Sequence, residues 1–359
     1  MPTLEQTMGQ VLALPREAGT PAAAAARELV AAHLEALGYR VERQRFAFAP
    51  SSLSGFPVFG AGLGGLALLL LPLLTGERAP GWAGALVLAG GLLLLALLAV
   101  GIGLGWLPLG GGTREDANLI ATRGGAPIRR WIVAHLDTKA QVQSMAGRLV
   151  AVWVIGLAVA ALSALALARL GGVVPVPLAG TGAALAIVAG ALAGRGRLRG
   201  SSAGARDNGT GVVGALAAAE GLDDAATGIL ITGAEEFGLV GARVFAAQKA
   251  GELRDAAIVN LDTIDQEGEL AVVSHDARGA ELARRAQRGL GAAGLAARVR
   301  RLPVGILTDS LPFARAGVPA ITIGRLTWRT LRTIHTPRDT ADGLSLETAV
   351  RVGRALAAN

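Results

Sequence analysis

The 359-residue chain contains no cysteine, a single tyrosine, and only 4% aromatic residues. Without cysteine there can be no disulfide, which is compatible with a reducing compartment. Without an aromatic surface there is no stacking platform for nucleic acid, so the net charge of +7 needs another explanation. Charged residues are also scarce, at 17% against the usual quarter. What replaces them is apolar, with 52% of the chain hydrophobic, and the surplus is concentrated in four places.

Residues 55–74, 81–113, 149–168 and 170–194 carry no charge at all. Each is near or above the roughly 20 residues that cross a hydrocarbon core. Buried helices of a soluble protein usually keep a polar face, and these runs show none. The fourth is the most dilute, interrupted by Pro175, Pro177 and Thr181. Residues 75–80 (TGERAP) form a polar turn between the first two runs, and Gly171–Gly172 with a Val-Pro repeat separates the last two. Two transmembrane hairpins are therefore expected, returning the chain each time to the same side of the membrane. Lys139, Arg148, Arg195, Arg197, Arg199 and Arg206 lie close to the runs on that side, against Arg78 and Arg169 in the opposite turns. The bias predicts a multi-pass protein of the cell membrane with its hydrophilic part in the cytoplasm, the basic residues facing anionic lipid. The opening MPTLEQTMGQVLALPREAG lacks a basic start followed by an apolar core, so no secretory signal is expected.

With the hairpins removed, the rest reads as an alternating α/β domain. Residues 20–38 predict a helix with Thr20 as N-cap and Pro21 in the first turn. Residues 39–48, 118–122, 131–135, 228–233, 257–262 and 320–324 read as strands. Helices are expected over 210–219, 239–250, 279–290 and from 345 onward. The expectation is a mostly parallel or mixed sheet flanked by helices, plus the four transmembrane helices. In chain order this gives a soluble part at 1–54, a hairpin at 55–112, a soluble part at 113–146, a second hairpin at 147–195, and the remainder of the soluble domain at 196–359.

Polar residues stand where these strands end. His135 and Asp137 follow IVA, Glu235 and Glu236 follow ILITGA, and Asp262 follows IVNL. In open α/β sheets the carboxyl ends of strands face the ligand crevice, and buried carboxylates are costly unless paired or bound to metal. Asp207 in ARDNGTG and His335 in IHTPRDTAD lie in loops. Two histidines and three carboxylates as direct ligands suit two zinc ions, one carboxylate bridging.

This ordered set, with DNGTG, AEEFGLVGA, NLD and HTPRDTAD, resembles metallopeptidase family 28, the family of bacterial leucyl aminopeptidase and aminopeptidase Y. The resemblance covers most of the hydrophilic chain. It implies a zinc exopeptidase fold, a peptide substrate, and a role for each residue. Asp207 matches the bridging ligand; His135 and Asp262 match the other ligands of one metal, and Glu236 and His335 those of the second. Glu235 matches the general base, and Asp137 the group that accepts the other ring N–H of His135 and fixes its tautomer. The expected function is a membrane-embedded, dinuclear zinc aminopeptidase. One alternative is a single-zinc aminoacyl cyclotransferase on the same fold, against which the retention of His135 beside all other ligands argues. Another is a non-catalytic membrane scaffold, although neither ligands nor base are lost.

Two departures from the family stand out. Ile334 occupies a position that often carries an aromatic hydroxyl, and residues 139–205 intervene where about a dozen usually do. The cleft is therefore expected to face the bilayer surface or lie close to it. Of the other polar residues, His33 is expected to be a surface or packing group and His275 a loop residue. Asp265 and Asp309 read as turn or supporting groups, and Arg325, Arg329 and Arg332 around Trp328 as a solvated or lipid-facing edge.

Overall fold

The computed structural model describes residues 2–302 and 305–358. Along the chain, α1 (Leu4–Leu12) and α2 (Pro21–Ala36) precede β1 (Arg40–Phe48). Two long helices follow, α3 (Gly55–Thr75) and α4 (Ala83–Gly103), then β2 (Arg114–Thr122) and β3 (Arg130–His135). A second long pair, α5 (Met145–Ala168) and α6 (Val176–Gly194), leads to α7 (Thr210–Gly221), β4 (Thr227–Thr232) and α8 (Val240–Gln248). Next come β5 (Ala257–Ile264), β6 (Glu269–Ser274), α9 (Ala277–Ala292) and β7 (Ala297–Arg301). The chain closes with α10 (Ser310–Arg315), β8 (Ala320–Leu326), α11 (Trp328–Thr333) and α12 (Glu347–Ala357).

These elements form two units. A sheet unit contains Met1–Phe48, Thr113–Ala140 and Gly200–Asn359; a helical unit contains Ala49–Gly112 and Gln141–Arg199.

The sheet unit is built on eight strands in the order β1-β2-β4-β3-β5-β8-β6-β7. Strands β4, β3, β5 and β8 run parallel, whereas β1, β2 and β6 make antiparallel contacts, so the sheet is mixed. The period-two alternation of the strands divides its core. Ile132, Ala134, Ile229 and Ile231 join one apolar cluster with α1, α2, α7, α9 and α12, while Trp131, Val133 and Leu230 join another with α8 and α10. Strands covered on both faces must be apolar throughout, and all six residues of β4 are buried. At α2 the Thr20 hydroxyl accepts from Ala23 N, and Pro21 occupies the first turn, where its missing N–H costs nothing.

The helical unit holds α3 to α6, four helices long and apolar enough to cross a membrane by length and composition, with mean hydropathy between 1.9 and 2.7. Its exposed surface is rich in large apolar side chains, among them Leu93, Leu97, Trp153 and Leu157. Inside, α3 and α6 meet through small residues. A Cβ at Gly190 would lie 2.6 Å from Gly60 O, and one at Gly60 would lie 3.2 Å from Gly190 Cα. Backbones that close leave no room for side chains. We expect Gly190→Leu to force α3 and α6 apart, costing about 1–3 kcal/mol by overpacking. Thermal unfolding of the detergent-purified protein measures this. Gly180→Leu, which meets nothing within 4 Å, is the control and should melt like the parent.

Arg169, expected as a free charge in a turn, is instead buried. Its guanidinium donates to the carbonyls of Leu73 (3.0 Å), Gly76 (2.9 Å) and Ala79 (2.6 Å). These lie at the end of α3 and in the turn to α4, where carbonyls have no intrahelical partner. Within this unit the tip of one hairpin is thus completed by a residue of the other.

Candidate metal centre

Three neighbouring strands deliver the central residues. β3 ends at His135, β4 ends at Thr232 opposite it and runs on to Glu235 and Glu236, and β5 carries Asp262 near its end. The turn before α7 contributes Asp207, and the loop after α11 contributes His335. Their polar atoms converge in two groups that share Asp207. His135 Nε2 lies 3.2 Å from Asp207 Oδ1 and 4.0 Å from Asp262 Oδ1. His335 Nε2 lies 3.1 Å from Asp207 Oδ2 and 3.3 Å from Glu236 Oε1. In each group one ligand atom per residue falls within 4.8 Å of the others.

The backbone around these residues is unusually constrained. Ala234, Thr263 and His335 adopt positive φ (52°, 52° and 62°), a region that L residues seldom occupy and that costs energy at each position. Hydrogen bonds hold the loops in place. The Asp339 carboxylate accepts from the N–H groups of Arg206 (2.9 Å) and Asp207 (3.1 Å). Asn208 donates to Leu261 O (2.8 Å), and its carbonyl oxygen accepts from Gly211 N (3.0 Å) and Thr263 N (3.1 Å), pinning the Asp207 turn to the end of β5. A Cβ at Gly211 would sit 2.4 Å from Leu261 O, so only glycine lets α7 approach this closely.

Arg16 ties the same loops from beneath. Fully buried, it donates to Leu136 O (2.8 Å), Val11 O (3.3 Å), Ala203 O (2.6 Å) and Gly204 O (3.0 Å). Burial lowers its pKa to about 10, against the opposing charges of Asp339, Asp137 and Asp207. Arg16→Met leaves five carbonyls, that of Leu14 (3.5 Å) among them, without this donor. We expect a loss of about 3 kcal/mol or more, read as a melting temperature lower by about 6–12 °C.

The structure keeps some residues to their sequence-based expectation and departs from it at others. The Asp137 carboxylate does not hold the His135 ring: Nδ1 donates to the backbone carbonyl of Asp137 at 3.1 Å, while the nearer carboxylate oxygen is 3.8 Å away. That carboxylate is occupied in accepting from Glu235 N (2.9 Å) and Glu236 N (3.1 Å), so it orients the Glu-Glu pair. Lys139 and Arg206 are not free basic residues flanking the apolar helices. Lys139 is buried against Glu236 at 2.5 Å, and Arg206 pairs with Asp265 (3.4 Å) and Asp339 (3.7 Å). Asp309, read as a turn or supporting group, is wholly buried and accepts from the Thr232 hydroxyl. His275 Nε2 lies 2.8 Å from Ser310 Oγ, in a chain of hydroxyls through Thr322. His33 packs inside the fold, 3.0 Å from Thr7 Oγ1. Ile334 is buried.

The electrostatics of the cluster favour bound cations. Burial is the largest influence on every carboxylate here. It raises Asp262 and Asp137 to about 7 and Asp309 to about 6, and it drives Glu235 well up, helped by the nearby Glu236 and Asp309 charges. Asp207 and Glu236 shift down despite burial, Asp207 through His135 and His335 and Glu236, to about 2, through His335 and Lys139. Both histidines rise because surrounding carboxylates outweigh their own desolvation. Such a concentration of negative charge is stable only when positive charge compensates it. The donor set fits divalent metal: Glu236 Oε1 is buried with no hydrogen-bond partner among the described residues. Four ligands at tetrahedral angles around zinc lie about 3.3 Å apart, and the contacts above run from 3.1 to 4.0 Å.

Comparisons with known proteins bear on the same centre. A family model described as Peptidase family M28 matches residues 182–359. That span includes Asp207, Glu235, Glu236, Asp262 and His335; His135 lies outside it, beyond the second pair of long helices. No curated protein matches the chain. Among solved structures, the zinc aminopeptidase BSAP from Bacillus subtilis is similar at a TM-score of 0.59 and 16% identity, over 99% of this chain and 95% of that one. The aminopeptidase from Aneurinibacillus sp. strain AM-1 is similar at 0.58 and 17%, over 98% and 92%. A glutaminyl cyclase from Fimbriiglobus ruber is similar at 0.56 and 16%, over 99% and 94%. At these identities the likeness is one of fold.

Proposed function

We propose that this chain, whose residues 182–359 match peptidase family M28, is a member of that family and a zinc-dependent aminopeptidase that works with two divalent cations and is anchored in a membrane by its helical unit. The carrying observation is the geometry of Asp207, whose two oxygens each meet a different histidine, at 3.2 and 3.1 Å. His135, Asp207 and Asp262 would hold one cation, and Asp207, Glu236 and His335 the other.

When bound, the cations supply Lewis acidity toward a scissile carbonyl and lower the pKa of water. The protein's own groups do the rest. Glu235, its backbone fixed through Asp137, takes a proton from the attacking water and returns it to the leaving amine. Burial, with the nearby carboxylate charges, raises the proton affinity of its carboxylate. The Asp137 carbonyl holds the proton on His135 Nδ1, leaving Nε2 free to act as a ligand. Ile334 offers no hydroxyl, so another group must stabilise developing charge on the carbonyl oxygen.

Membrane anchoring is supported by the apolar exposure of α3 to α6. With Lys139 and Arg206 engaged in ion pairs, the basic bias rests on Arg195, Arg197 and Arg199 against Arg78. It still favours a cytoplasmic sheet unit.

The test uses detergent-purified full-length protein, metal analysis, and matched peptides with free and acetylated N-termini. The expected result is bound zinc and release of the first residue from the free peptide alone. Equal cleavage of the blocked peptide, or no divalent metal, would sink the proposal. The cyclase likeness leaves cyclisation of an N-terminal residue as a second reading. Mass spectrometry separates the two, since cyclisation of an N-terminal glutamine expels ammonia and leaves the peptide chain whole.

A further inference from the structure

The two ligand groups differ in one respect that the dinuclear reading does not use. Lys139 lies four residues after His135, and its side chain is only 3% exposed. Its Nζ is 2.5 Å from Glu236 Oε2, whose side chain is 4% exposed. The other oxygen of the same carboxylate, Oε1, points to His335 Nε2 at 3.3 Å. Glu236 is therefore divided, one oxygen toward an ammonium and one toward the ligand group. In the His135 group, Asp262 Oδ1 accepts instead from the neutral hydroxyl of Thr263 at 2.9 Å.

An ammonium fixed on one oxygen of a carboxylate has two consequences for a cation at the other. It prevents that carboxylate from offering both oxygens, and it repels the second positive charge across a buried, poorly screened site. Resting on the dinuclear reading above, we infer that Lys139 makes the two cation positions unequal, so that the Asp207–Glu236–His335 position fills second and empties first. Lys139 is in this sense a positioning residue. It leaves the His135–Asp207–Asp262 position tightly held and makes activity follow the supply of free metal.

The test is equilibrium titration of metal-free, full-length protein with zinc against a competing chromophoric chelator. The parent should bind in two steps, the second weaker by about tenfold or more. Lys139→Met keeps the length and removes the charge; it should tighten the second step by about tenfold or more and leave the first within about threefold. Lys139→Arg should keep the steps apart. A second step unchanged or weakened in Lys139→Met overturns the inference. Should that variant not fold, single-ligand variants of the parent decide. His335→Ala should abolish the weaker step and Asp262→Ala the tighter one, and the reverse assignment overturns the inference. Protein that binds no zinc defeats the dinuclear reading itself, whereas two equal steps defeat only the role of Lys139.

Discussion

Glu235→Gln is expected to lower peptide turnover by about a thousandfold or more, within the range for loss of a positioned general base. Glutamine keeps the shape and hydrogen-bonding capacity of the side chain but cannot accept the proton. Glu235 belongs to neither ligand group, so zinc content should equal that of the parent. Substrate affinity should change little, because the loss falls on the reaction step. Metal analysis beside steady-state kinetics checks both halves. A variant that keeps full turnover removes Glu235 from the mechanism, and one that loses its zinc makes the residue a ligand.

Asp207→Ala should lose zinc as well as turnover. Its carboxylate is common to both ligand groups, so under the two-cation proposal its removal would weaken both positions at once. Asp262→Ala, by comparison, touches only the His135 group. We expect Asp207→Ala to retain less than about half of the parent's zinc and to lose turnover by about a thousandfold or more, as when catalytic groups that act together are broken. Elemental analysis after dialysis against metal-free buffer distinguishes this from unequal but independent sites, which would leave one full equivalent bound. The fold should survive, since the neighbouring turn is separately held by Asp339 and Asn208.

The parts of this arrangement legible in the sequence were those written locally. GILIT reads as a strand covered on both faces because its Gly-Ile-Leu-Ile run is apolar without alternation, and the Glu-Glu pair just beyond it falls where such strands present ligands. Strand β7, ARVRR, has no such signal: three arginines in five residues describe an exposed edge, where charge discourages further pairing. Helix α1 did carry a signal, a capping box between Thr3 and Gln6, but it lies in a segment read for signal-peptide character. The supporting contacts were hidden by distance along the chain. Arg16 reaches Gly204 across 188 positions, and Asp339 reaches Asp207 across 132. Composition cannot announce such partners. Lys139 illustrates the hazard, since a lysine shortly before an apolar helix reads as a membrane-flanking charge until its ion pair with Glu236 is seen.

The strand order has a consequence for how the protein is made. β2 and β3 both pair with β4, and β1 pairs with β2, yet β4 begins at Thr227, after both helical hairpins. A nascent chain that has reached Gly200 has therefore delivered every apolar helix while its sheet still lacks the strand that joins the first three. The long apolar helices are complete first, and the sheet can close only afterward, once β4 has emerged to join the strands already made.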